Sequence, residues 1–198
     1  ERKHWLEKDK RPKRNTQKAE AYLLINAYRK MKRIELEDFF RNSERTAYQL
    51  SPDGTLISYM APYENRMNVF VRRVGEKDDA SVRLTSETER SVSGYMWAEN
   101  DRILFMKDVG GDENFRLFGI RPDGTDLRAY TDFEGVRTVL IDDLEEQPGF
   151  VLIGLNRRNP EGFHPYRLNT ETAESTTLAE NPGHIQAWLA AAQGRARG

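Results

Sequence analysis

From residue 45 onward apolar and polar residues alternate with a period of two in short runs: "TLISYMAP" (55–62), "NVFVRRV" (68–74), "RILFMKD" (102–108), "FRLFGI" (115–120), "FVLIGLN" (150–156) and "YRLN" (166–169). That period places successive side chains on opposite faces of a β-strand. Turn signals separate the runs: "PDG" at 52–54, "END" at 99–101, "PDGTD" at 122–126, "QPG" at 147–149 and "NPEG" at 159–162. No helix-period stretch of ten residues follows residue 43, so the region is expected to be all-β.

The strands repeat. Phe70, Phe118 and Tyr166 are aromatics of a third strand, spaced 48 and 48. Ile57, Leu104 and Leu152 follow the first turn, spaced 47 and 48, and Leu84, Tyr130 and Leu178 are expected to end a fourth strand, spaced 46 and 48. Four short strands in a period of roughly 40–50 residues are the signature of propeller blades. The fold class is therefore all-β, a partial β-propeller with blades at about 45–90, 91–136 and 137–183 and the start of a fourth at 184–198. Trp97 and Trp188 are expected near the end of a first strand, as Leu50 is, with the blade aromatics as packing between blades. Propellers close with about 4–8 blades. Three and a fraction read as part of something longer, and an open blade edge is expected to allow self-association.

Upstream the pattern changes. Residues 1–33 form a basic arm with a helical pattern over Ala19–Arg33, and "IELEDFFRN" (34–42) reads as a short helix leading into the first strand at about residue 45. Residues 1–30 hold ten Lys/Arg against four acids, a balance of +6, whereas residues 31–198 balance at −7. The arm is expected to be a solvated, partly disordered leader, with binding to nucleic acid or an anionic membrane as the alternative for this segment. The mildly acidic body has no basic stripe, so nucleic acid is not expected as a partner. No apolar run approaches the ~20 residues that span a bilayer, so no membrane partner is expected either. The compartment stays unknown, with the cytoplasm favoured and the periplasm as the alternative.

Candidate chemistry is sparse. The chain has no cysteine, which removes disulfides, thiolate metal sites and a cysteine nucleophile. There is no G-x-S-x-G elbow, no P-loop and no G-x-G-x-x-G. The three histidines, His4, His164 and His184, have no serine in a strained turn to serve, so no catalytic residue, metal or cofactor is expected. "KDVGGDENFRLF" (107–118) is the most unusual string. Gly110-Gly111 permits positive φ, and Asp112, Glu113 and Asn114 form a polar cluster able to meet a substrate amine or a cation, or to bond nearby backbone as ordinary turn chemistry. "DDLEE" (142–146) reads as a charged loop.

Taken together, "LSPDG" (50–54), "NVFV" (68–71), "WAENDRILFMKDVGGDENFRLF" (97–118), "VLIGLNRRNPEGFHPYRLN" (151–169) and "ENPGHIQAWL" (180–189) resemble the N-terminal propeller of the prolyl oligopeptidase family of serine peptidases. The closest resemblance is to dipeptidyl-peptidase and acylaminoacyl-peptidase-like members, over roughly residues 34–198. It implies a propeller that caps a C-terminal α/β-hydrolase domain carrying the Ser, Asp and His, and that restricts access to short peptides. That domain, as a partner, and those triad residues have no counterpart in this sequence, so this chain alone is expected to be inactive. Ala191, the "DDLEE" turn and residues 1–30 depart from the family pattern. A TolB-type propeller acting as a protein-interaction module is the alternative, since "SPDG" also occurs there.

Overall fold

The computed structural model describes residues 35–40, 43–191 and 194–198. The basic arm and the helix expected over 19–33 lie outside the described residues. The chain divides into two units, 1–42 and 43–198. In the first, the expected short helix is present as α1 (Leu36–Phe40), with Glu37 and Asp38 in its first turn, where acidic side chains complement the helix dipole.

The second unit is built from antiparallel sheets taken in chain order. Sheet 1 comprises β1 (Thr46–Leu50), β2 (Leu56–Tyr63), β3 (Arg66–Arg73) and β4 (Val82–Arg83). Sheet 2 comprises β5 (Gly94–Glu99), β6 (Arg102–Lys107), β7 (Arg116–Ile120) and β8 (Arg128–Ala129). Sheet 3 comprises β9 (Thr138–Asp142), β10 (Phe150–Asn159), β11 (Gly162–Asn169) and β12 (Ser175–Thr177). A two-stranded sheet of β13 (Leu189–Ala191) and β14 (Arg195–Arg197) follows. Each four-stranded sheet runs first strand to fourth without a crossover, which is the construction of a propeller blade.

The 48-residue period is visible in the register. Tyr59 pairs with Phe70, Phe105 with Phe118 and Ile153 with Tyr166. The first two pairs stack, with ring centroids 5.6 and 5.4 Å apart. Leu84, Tyr130 and Leu178 each stand one residue beyond the outer strand rather than within it. Their amides nevertheless extend the ladder, donating to the carbonyls of Val69, Leu117 and Pro165 at 2.8, 2.9 and 2.9 Å. Trp188 precedes β13 instead of ending a first strand, and its indole donates to the Phe163 carbonyl at 2.7 Å.

Two apolar clusters hold the sheets together. Met60, Val69 and Val71 of sheet 1 meet Trp97, Ile103 and Phe105 of sheet 2. On the other face of sheet 2, Leu104 and Leu117 meet Val151, Ile153, Tyr166 and Leu168 of sheet 3. Alternation along β6 divides the work, with Ile103 and Phe105 in the first cluster and Leu104 in the second. The outer strands are two or three residues long, a length that limits unwanted edge pairing.

Candidate functional site

The first strands of sheets 1 and 2, the turns that leave them and the turn after the first strand of sheet 3 line a cleft of about 820 Å³. Local chemistry fixes those turns. Ser51 is buried; its hydroxyl donates to Asp53 Oδ1 at 2.6 Å and accepts from the Leu56 amide at 2.9 Å. Asp53 also accepts from the Thr55 amide and hydroxyl, and these bonds hold its carboxyl below the usual carboxylate range. Ser51 is thus consumed by its turn and has no histidine partner among the described residues. Across to sheet 2, the Asp53 amide donates to Asn100 Oδ1 at 2.8 Å, and the Trp97 indole donates to Ser58 Oγ at 2.8 Å.

In sheet 3 the corresponding turn is the charged "DDLEE" segment. Asp142 Oδ1 accepts from the Leu144 amide at 2.8 Å, and Leu144 takes φ 51 and buries its side chain. Apolar walls from Leu50, Pro52, Met96, Trp97, Leu144 and Pro148 therefore carry a rim of Glu99, Asp101, Asp143 and Glu145. Among the described residues Glu99, Asp143 and Glu145 form no ion pair, and Asp101 reaches Arg121 only at 3.7 Å. Sequence reasoning passed over this cleft because its parts lie about 47 residues apart and each looked like an ordinary turn.

The predicted cluster Asp112, Glu113 and Asn114 lies in the loop between β6 and β7, and its members are not equivalent. Asp112 Oδ1 accepts from the amides of Val109 and Asn114, at 3.3 and 3.0 Å, and Oδ2 accepts from Arg116 at 3.3 Å. Asp112 thus organises the loop, and Asn114 donates back to it at 3.5 Å. Glu113, at φ 56, is exposed. Beneath them the buried Asp108 carboxylate accepts from Arg90 Nε at 3.1 Å, which holds it below the usual range.

A further 48-residue series escaped the sequence reading because its chemistry changes at each step. Asn68, Arg116 and His164 occupy the start of the third strand in the three sheets, and all are buried. Asn68 binds the segment leading out of its sheet, donating to Glu87 O at 2.9 Å and accepting from Glu87 N at 2.7 Å. His164 Nδ1 accepts from the Asn181 amide at 3.1 Å, which gives this histidine a structural role. No three carboxylate or imidazole groups converge as a metal would need among the described residues. No described helix is long and apolar enough to cross a membrane.

Consecutive four-stranded antiparallel sheets, each ordered from first strand to fourth, define this as a β-propeller fold. No family model matches the chain. It is 28% identical to dipeptidyl aminopeptidase BIII of Pseudoxanthomonas mexicana over 158 residues, which are 79% of this chain and 23% of that protein. It is 32% identical to dipeptidyl peptidase family member 6 of Caenorhabditis elegans over 159 residues, which are 75% of this chain and 21% of that protein. Among solved structures, a prolyl endopeptidase superposes with a TM-score of 0.56 at 10% identity, covering 74% of this chain and 23% of that one, a likeness of fold. The chain thus spans less than a quarter of the length of the curated relatives it matches. The resemblance to the propeller of the prolyl oligopeptidase family is borne out by these relatives and by the fold.

Proposed function

We propose that this chain is the N-terminal propeller portion of a serine peptidase of the prolyl oligopeptidase family that acts on short peptides. The propeller restricts access to the catalytic centre, and an α/β-hydrolase domain elsewhere on the polypeptide performs hydrolysis. The observation that carries this reading is the pair of dipeptidyl peptidases matched over three quarters of the chain while only 21–23% of their own length is used. The absence of a nucleophile elbow from the sequence accords with it. Within the predicted cluster Glu113 is the group we assign to a substrate amine, because Asp112 and Asn114 are engaged with their own loop. The reading is tested by the coding sequence adjoining residue 198. A G-x-S-x-G followed by Asp and His within a few hundred codons supports it. Further blades that close a ring with no hydrolase domain would replace it with the TolB-type interaction module.

A further inference from the structure

Beside the large cleft is a second, smaller pocket of about 210 Å³, walled by Tyr95, Leu104, Phe105, Leu117 and Leu140 and sharing Met96 with it. Every one of these side chains is apolar at the wall. Leu140 is partly exposed on β9, so the pocket sits where sheets 2 and 3 meet. A void of this size is large enough for one bulky apolar side chain, and apolar cavities take apolar guests in preference to water. The adjoining cleft adds apolar walls, with Leu50 58% exposed, and then the rim carboxylates of Glu99, Asp143 and Glu145.

The lining of the cleft carries four carboxylates, Glu99, Asp101, Asp143 and Glu145, and no lysine or arginine among the described residues. Elsewhere some acidic side chains are matched by arginine or lysine, as in Asp78 with Arg72, Asp108 with Arg90, Asp126 with Arg102 and Arg128, and Glu87 with Lys107, and others are not. At the rim Glu99, Asp143 and Glu145 have no such counter-charge among the described residues. Carboxylates of one sign along low-dielectric walls focus a negative potential and raise the local concentration of cations.

We propose that this double cleft is a binding site for short peptides in which a bulky apolar residue is flanked by lysine or arginine. The apolar side chain enters the pocket shared at Met96, and the flanking cations meet Glu99, Asp143 and Glu145. The inference rests on the peptide-handling reading above and adds to it a substrate class and a place on the propeller separate from Glu113. Binding of the tripeptides Lys-Phe-Lys, Gln-Phe-Gln and Lys-Gly-Lys to the full chain tests it, followed through the Trp97 indole N–H resonance at the cleft wall. Lys-Phe-Lys is expected to bind about tenfold more tightly than either control at low salt, with its advantage over Gln-Phe-Gln shrinking as ionic strength rises. The rim variant E99Q/D143N/E145Q is expected to erase the advantage of lysine, and L140F, which fills the small pocket, the advantage of phenylalanine. Equal binding of Lys-Phe-Lys and Gln-Phe-Gln would overturn the proposal while leaving peptide handling intact. Binding that leaves the Trp97 resonance unmoved, or no binding by any of the three, would also overturn it. None of these results depends on whether a hydrolase domain adjoins the chain.

Discussion

Arg102 follows directly on a polar turn, yet its side chain is fully buried. It donates to Asp126 Oδ2 at 2.8 Å and lies 3.4 Å from Glu171 on sheet 3. Asp126 also accepts from Arg128 at 2.8 Å, and these bonds hold its carboxyl well below the usual carboxylate range. A buried charge that loses its closest carboxylate costs more than the pair contributes, and without the Asp126 carboxylate Arg102 keeps only Glu171 and the carbonyl of residue 126. Asp126→Asn, which tolerates the φ of 55 at that position, is therefore expected to destabilise more than Arg102→Met, after which Asp126 keeps Arg128. Denaturant midpoints of the two variants check the order. The pH dependence follows from the same bonds. A carboxylate with a depressed folded pKa contributes stability above its unfolded value of roughly 4, and loses it as pH falls toward the folded one. Wild type should lose stability through the acid range below about pH 5 more steeply than Asp126→Asn.

Between elements, one of the links from sheet 2 to sheet 3 needs a glycine. A Cβ at Gly119 would stand 2.6 Å from the Tyr130 ring and 2.8 Å from its hydroxyl. That hydroxyl donates to the Thr170 carbonyl at 2.5 Å, joining the end of sheet 2 to the turn after β11. Gly119→Ala must displace the ring, and overpacking of this kind costs about 1–3 kcal/mol. Thermal unfolding should show the loss, and Gly119→Ala in a Tyr130→Leu background should cost clearly less, since the clash and the bond disappear together. The strands themselves were legible in the sequence because alternation and turn residues recur at Phe70, Phe118 and Tyr166 with the same chemistry each time. Gly119 and Tyr130 were not legible as partners, since one reads as a weak strand residue and the other as a blade aromatic. Asn68, Arg116 and His164 were hidden for the opposite reason: one position, three chemistries. The cleft likewise needed the sheets placed side by side before Leu50, Met96 and Leu144 could be seen to share a wall. Of the predicted cluster, the loop was legible from Gly110-Gly111, but the division of labour between Asp112 and Glu113 required the hydrogen bonds.

For the molecule as a whole, the repeated sheets supply a scaffold and a lined cleft, and the sequence relatives supply the chemistry it is proposed to serve. Within this chain Ser51 is held in its turn and His164 in its strand, and the two form no reactive pair. The role proposed for this propeller is to guard a peptidase centre located elsewhere on the polypeptide. It is tested most directly by release of a chromogenic group from dipeptidyl substrates, measured for residues 1–198 alone and for the polypeptide extended through its adjoining coding sequence. Turnover is expected from the extended polypeptide, abolished by replacing the serine of its G-x-S-x-G, and none above a heat-killed control from residues 1–198. Turnover by residues 1–198, or an inactive extended polypeptide with no such serine, would contradict it.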